Sequence, residues 1–166
     1  RIHIGKDIYN ISIGYNAGQT DQSINTIAIG HNAGYDNQNR YAIAMGHGAG
    51  QTSQDQNAIA IGQNAGNSRQ NQYAIAIGNT AGYQDQSVNA IAIGEGAGHT
   101  SQHVNAIAIG RHAGNQDQSQ NAIAIGQGAG KTSQDQNAIA LGRDAGFQNQ
   151  SENAIAIGKS VSQLNN

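Results

Sequence analysis

A glycine-rich stretch of this 166-residue chain comes close to the spacing of a phosphate-binding loop. It runs from Gly126 to Thr132 and contains a Gly-Lys-Thr triplet. That loop needs a glycine five residues before the Gly-Lys pair, and Ile125 stands there instead. The equivalent stretch from Gly94 to Thr100 has no lysine, and no helix is expected to follow and hold a phosphate. The spacing therefore argues against nucleotide binding.

The six histidines raise the question of a metal site. His99 and His103 are four residues apart, a spacing that brings ligands together on a helix but not in an extended segment. His31 and His47 are sixteen residues apart, and no acidic ligand recurs beside them. We therefore interpret the histidines as solvated turn residues and expect neither a metal nor a cofactor.

The composition excludes several other classes of protein. The chain has 8 Lys and Arg against 10 Asp and Glu, which gives no bulk attraction to nucleic acid. It has no cysteine for disulfides, and no apolar run is long enough to span a membrane. No nucleophile, base and orienting carboxylate recur together, so we do not expect an enzyme.

A sixteen-residue repeat dominates the chain and must position every side chain in it. The unit reads N-A-I-A-I-G-x-x-A-G-x-x-x-Q-x-Q, without insertion or deletion. Its first glycine recurs at Gly14, Gly30, Gly46, Gly62, Gly78, Gly94, Gly110, Gly126, Gly142 and Gly158.

Each unit has the pattern of one coil of a solenoid. The A-I-A-I segment alternates with period two and contains β-branched residues, so it predicts a strand. The G-x-x-A-G segment predicts a tight turn, and the polar segment around the Gln predicts a second, more solvated strand. The sequence thus predicts an all-β parallel β-roll or β-solenoid with two short strands per coil. We expect an irregular half-coil or junction over residues 1–13, nine repeats over 14–158 and a junction over 159–166.

Stacking such coils places identical residues in ladders. A glutamine ladder is predicted, in which side-chain amides bond along the stack, from Gln22, Gln38, Gln54, Gln70, Gln86, Gln102, Gln118, Gln134 and Gln150. An isoleucine ladder is predicted from positions that include Ile27, Ile29, Ile59, Ile61, Ile91, Ile93, Ile123 and Ile125.

Both faces of the A-I-A-I strand are apolar, whereas a strand with one wet face alternates apolar and polar residues. We expect isoleucine inside the coil and the alanine column, for example Ala76, against a neighbouring chain. The reverse assignment is open and leads to the same conclusion. One face fills the coil, and the other needs a partner, which predicts a homo-oligomer.

The A-I-A-I-G core with its small-residue turn resembles the head repeats of trimeric autotransporter adhesins. It is also similar to repeats in fibre proteins of phages and large DNA viruses. The resemblance covers Ile11 to Gly158. It implies a trimer of left-handed parallel β-rolls that projects from a cell or virion surface as a stalk or receptor-binding head. Handedness and the number of chains rest on this resemblance alone.

Two classes of function fit these observations. The first is a structural and adhesive segment of an extracellular or virion surface fibre, whose receptor or glycan is unknown. The second is a solenoid that binds an ordered lattice such as ice or a polysaccharide, or one that polymerises into an extracellular filament. Tyr35 and Tyr83, in the slot after the second glycine, are candidate surface contacts, because aromatic rings can stack on sugars.

Overall fold

The chain forms a two-sheet solenoid of short strands. The structure is a computed structural model that describes residues 2–4 and 9–161. The twenty strands within these residues are each three residues long, and two of them alternate in each 16-residue coil. The predicted parallel β-solenoid with two short strands per coil is confirmed. Parts of the predicted end segments (residues 1, 5–8 and 162–166) lie outside the described residues.

The larger sheet has eleven strands and contains the Ile-Ala-Ile segments. From Ile11–Ile13 (β2) onward its strands are parallel and in register, so that Ile75 pairs with Ile91 and Ala76 with Ala92. The first strand, Ile2–Ile4 (β1), instead pairs with β2 in antiparallel orientation. The strands are β1 (Ile2–Ile4), β2 (Ile11–Ile13), β4 (Ile27–Ile29), β6 (Ile43–Met45), β8 (Ile59–Ile61), β10 (Ile75–Ile77), β12 (Ile91–Ile93), β14 (Ile107–Ile109), β16 (Ile123–Ile125), β18 (Ile139–Leu141) and β20 (Ile155–Ile157).

The smaller sheet has nine parallel strands and contains the glutamines. Only the first and third residue of each strand pair in register, as Gln86 does with Gln102. The middle residue has a positive φ, 55° at Asp85, and points to solvent or is half-buried. The strands are β3 (Thr20–Gln22), β5 (Asp36–Gln38), β7 (Thr52–Gln54), β9 (Ser68–Gln70), β11 (Gln84–Gln86), β13 (Thr100–Gln102), β15 (Gln116–Gln118), β17 (Thr132–Gln134) and β19 (Gln148–Gln150).

The two glycines of each unit allow the coil to turn tightly. Gly78 has φ +129°, and a Cβ there would lie 2.7 Å from the carbonyl oxygen of Gly94 in the next coil. Gly82 has φ +51°, and a Cβ there would lie 2.7 Å from Gln86 Oε1. The first glycine is therefore required by the close approach of two backbones, and the second by the packing of the glutamine.

The core between the sheets consists of alanine and glutamine, not isoleucine. The middle residue of the Ile-Ala-Ile strands, such as Ala76 or Ala92, is fully buried, while the flanking isoleucines are only partly buried. The prediction that isoleucine fills the coil is therefore wrong, and the reverse assignment is correct. The glutamine side chain from the opposite sheet already occupies the narrow interior, which leaves room only for a methyl group.

Candidate binding surfaces

The outward side chains of the larger sheet form a continuous apolar surface, here called the isoleucine face. Its better-exposed column includes Ile61, 37% exposed, and Ile125, 39% exposed, while other members such as Ile77 and Ile93 are half-buried. The face consists of a first column of Ile11, Ile27, Ile43, Ile59, Ile75, Ile91, Ile107, Ile123, Ile139 and Ile155, and a second column of Ile13, Ile29, Met45, Ile61, Ile77, Ile93, Ile109, Ile125, Leu141 and Ile157.

The isoleucine face is large for the surface of a single chain. Ten stacked strands at about 4.8 Å give it a length of roughly 43 Å. Its partly uncovered side chains are contiguous over that whole length, whereas the largest apolar patch on a typical monomer is about 300–600 Å² and is often functional. Both sheets use their inner faces for the core, so no described strand covers it. A surface of this kind indicates a binding face.

The glutamine ladder lies in the core behind the isoleucine face and is bonded to the strands that form it. Gln70 Nε2 donates to Gln86 Oε1 in the next coil at 3.1 Å and to the carbonyl oxygen of Ile59 in the opposite sheet at 2.8 Å. The same side chain thus joins neighbouring coils and joins the two sheets. Unbroken amide-to-amide bonds of 3.0–3.2 Å connect the eight buried members, Gln38, Gln54, Gln70, Gln86, Gln102, Gln118, Gln134 and Gln150. The predicted ladder is confirmed for these residues.

Gln22, the ninth predicted member, departs from the ladder. It is only partly buried, and its Nε2 donates to the carbonyl oxygen of Gly34 at 2.8 Å instead of to Gln38. The buried Gln38 Oε1 consequently has no hydrogen-bond partner. Thr26, which replaces the usual alanine, donates its hydroxyl to Gln22 Oε1 at 3.2 Å. The replacement of alanine by Thr26 thus coincides with the break in the ladder between Gln22 and Gln38.

Two sets of stacked rings lie on the turns. His31 and His47 stack with ring centroids 5.0 Å apart, and Tyr15 stacks on His31 at 5.4 Å. The two histidines lie one coil apart in the same slot of the unit, which brings their rings into register. His99 and His103 form no ring contact with each other. Among the described residues, no group of three His, Cys, Asp or Glu side chains could hold a metal ion.

The two candidate contact residues, Tyr35 and Tyr83, are both half-buried. The Tyr83 ring stacks on His99 at 5.1 Å, so one of its faces is covered by the protein itself. Burial, together with the nearby His112, lowers the pKa of His99. This column therefore contributes to turn packing, and Tyr83 offers a sugar less ring surface than an isolated tyrosine would.

A polar groove runs along the corner that follows the smaller sheet. One part is a depression of about 400 Å³, and the other, of about 200 Å³, contains an ion pair between Arg69 and Asp85. The second bond of this pair, from Arg69 Nη2 to Asp85 Oδ2, is 2.8 Å long. The hydrogen bond from Arg69 holds the pKa of Asp85 below its usual value. Asp55 lines both depressions, which therefore lie side by side.

Tyr9, Tyr41 and Tyr73, which are not among the predicted contact residues, form an exposed row. They occupy one slot of the unit in every second coil, while Asn25 and Asn57 occupy it in the coils between. The exposed fractions are 74% for Tyr9, 49% for Tyr41 and 50% for Tyr73. A period of 32 residues within the 16-residue repeat was the signal that could have revealed this row.

Comparison of the chain with protein-family models, with curated proteins and with solved structures found no match. No helix in the described part of the chain is long and apolar enough to cross a membrane.

Proposed function

We propose that this chain is a structural and adhesive segment of an extracellular or virion surface fibre. In this proposal several copies pack their isoleucine faces together into a rigid rod, which projects from the surface and mediates attachment. The observation that carries the proposal is the isoleucine face itself, which continues over ten stacked strands without a polar interruption.

The size of this face supports association with further copies of the same chain. The face runs the length of ten in-register strands, and a continuous apolar surface of that kind is what a stable interface buries, at roughly 800 Å² for each partner. A second copy offers a face of the same length and coil spacing, so parallel copies can match it coil by coil. The trimer and the left-handed coil follow from the resemblance to adhesin heads and viral fibres.

The isoleucine face can be tested by placing charges on it. We expect the wild-type chain to be a trimer by native mass spectrometry and light scattering. Substituting Ile61, Ile77 and Ile93 with Lys should give monomers that keep their β-sheet circular dichroism, because these side chains point away from the core. Burying unpaired lysines between chains would be costly.

A matched control carries the same charges on the opposite sheet. Ser101, Asp117 and Ser133 share their slot with Arg69, so lysine is sterically acceptable there. This Lys variant should remain an oligomer. A wild-type chain that stays monomeric at high concentration, or an isoleucine variant with unchanged mass, would contradict the proposed assembly.

The regularity of the isoleucine face also favours a second candidate function, which is binding to an ordered lattice such as ice. Its side chains repeat about every 4.8 Å along the rod and about every 7 Å across each strand, which makes a rectangular array. Thr52, Thr100 and Thr132 do not provide such a face, because they are half-buried and lie within 3.3–3.5 Å of a backbone carbonyl. Thermal hysteresis by a monomeric wild-type chain would favour this function over the fibre.

A further inference from the structure

The tyrosine row defined above departs from the rules that govern the rest of the coil. Tyr41 and Tyr73 both have φ +61°, and Tyr9 has φ +51°. Asparagine tolerates this left-handed conformation, whereas a bulky aromatic residue rarely adopts it. The other described coils have asparagine in this slot, as at Asn57 and Asn89. Tyrosine is thus less favourable than asparagine for the backbone conformation of this slot, and it occurs there three times at regular intervals.

In the described part of the chain, neither a ladder hydrogen bond nor ring stacking compensates for this choice. From Asn89 to Asn153 the slot forms its own ladder, in which Asn105 Nδ2, for example, donates to Asn121 Oδ1 at 3.2 Å. The tyrosines give up these bonds, and none of their rings stacks on another ring in the described part of the chain. An outlier that the core does not require points to a function.

The spacing of the row matches a particular class of ligand. Consecutive tyrosines are two coils apart, or about 9.6 Å. In an extended β-1,4-linked glycan, successive pyranose rings are turned over, so that the chain repeats after two sugars over nearly the same length. Successive tyrosines can therefore stack on alternate sugars, one ring to each, because the aromatic ring and the apolar face of a pyranose are complementary.

The polar groove lies immediately beside the row. Its larger part is lined by Ser23, Asn39, Arg40, Asp55, Gln56 and Gln72. Arg40 and Gln72 directly precede Tyr41 and Tyr73 in the chain. Amide, carboxylate and guanidinium groups supply both donors and acceptors for sugar hydroxyls. With a net charge of −2, the chain lacks the excess of cations that a nucleic acid would need.

We propose that the tyrosine row and the polar groove bind an extended β-1,4-linked glycan that lies parallel to the rod. Tyr9, Tyr41 and Tyr73 stack on alternate sugars, and the groove side chains bond the hydroxyls. This inference deepens the proposed attachment role by naming the ligand, and in that sense it rests on the proposed function. The site itself is formed within one chain, on the corner between the two sheets.

Soluble cellohexaose and chitohexaose are suitable probes, and they distinguish a glucose chain from an N-acetylglucosamine chain. Calorimetry of the wild-type chain should detect binding of at least one of them. Y41N and Y73N should each weaken binding about ten-fold, the loss expected for one aromatic stacking contact. Asparagine is the residue of the neighbouring coils, so these variants should fold at least as stably as the wild type.

The repeat also offers a gain of function. Asn105 lies two coils beyond Tyr73, in phase with the row, whereas Asn89 lies one coil beyond it and out of phase. N105Y should strengthen the binding of an octasaccharide, because a fourth ring then meets an alternate sugar. N89Y adds the same ring at the wrong spacing and should leave the affinity unchanged.

Several results would overturn the glycan site. The first is that neither hexasaccharide binds at millimolar concentration. The second is that Y41N and Y73N bind as tightly as the wild type, and the third is that N89Y and N105Y change the affinity equally. The oligomeric mass of each sample separates this outcome from failure of the fibre proposal. Lost glycan binding in an intact oligomer rejects only the glycan site, whereas glycan binding by a monomer rejects only the assembly.

Discussion

Gln70 and Gln86 lie directly above one another in the core, and Gln70 Nε2 donates to Gln86 Oε1 at 3.1 Å. Both side chains are fully buried. From Gln54 onward, each Oε1 of the buried ladder accepts the bond that its predecessor donates, so every interior member serves two neighbours. Glutamine thus occupies the inside of the coil, and the isoleucines lie on the outside, where they can contact a binding partner.

Removal of one ladder member should destabilise the fold. We expect Gln118→Ala to lower the free energy of unfolding by about 2–4 kcal/mol, because it leaves buried amide partners unpaired and opens a cavity. Gln116→Ala is the matched control, since Gln116 is an exposed residue of the same strand. Chemical denaturation measures both variants. Equal stabilities would mean that the ladder contributes nothing beyond ordinary strand pairing.

Charges on the two faces of one strand should have different effects. Ala76→Glu places a carboxylate in the fully buried interior, so we expect loss of the fold and not only of the oligomer. Ile77→Glu places the same group on the isoleucine face and should leave the β-sheet signal intact while weakening association. Circular dichroism and light scattering on both variants test this contrast. A folded Ala76→Glu variant would show that alanine does not face the core.

Gly78 should not tolerate a side chain. Gly78→Ala combines a φ of +129° with a Cβ 2.7 Å from the carbonyl oxygen of Gly94, and we expect a loss of about 2–4 kcal/mol. Gly48→Asn is the control, because Asn32 and Asn64 occupy the same slot of the unit with positive φ, and a Cβ there would come closest to the flexible amide end of Asn64. Thermal unfolding compares the two. A mild effect of Gly78→Ala would indicate that neighbouring coils can separate locally.

His99 should make stability depend on pH. Its pKa is lowered in the folded chain by burial and by His112, so the unfolded chain binds the proton more readily. The stability that its neutral form contributes is therefore complete above about pH 6.5 and falls as the pH drops below that value.

The control for this prediction is His99→Asn, since Asn67 and Asn115 occupy the same slot. Between pH 8 and pH 5, the wild type should lose more stability than this variant, as measured by urea unfolding at each pH. Parallel pH profiles of the two proteins would show that His99 titrates normally.

The regular features of the fold could be predicted from the sequence because they follow from local rules repeated at one period. Alternation in A-I-A-I predicts a strand, paired glycines predict turns, and a spacing of sixteen places equal residues in ladders. The glutamine ladder was predictable for the same reason, since a Gln that recurs in every unit must stack on itself. The glycines at Gly78 and Gly82 were predictable as turns, but their contacts were not.

Only the tertiary structure decided which side of the strand faces inward. Isoleucine and alanine are both apolar, so the pattern of β10 is compatible with either orientation. The choice depends on the distance between the two sheets, which is set by the length of Gln86 and by its close packing against Gly82. That narrow spacing has room for the side chain of Ala76 but not for those of Ile75 and Ile77. The spacing results from contacts between segments that are far apart in the unit, so it cannot be predicted from the local pattern of residues.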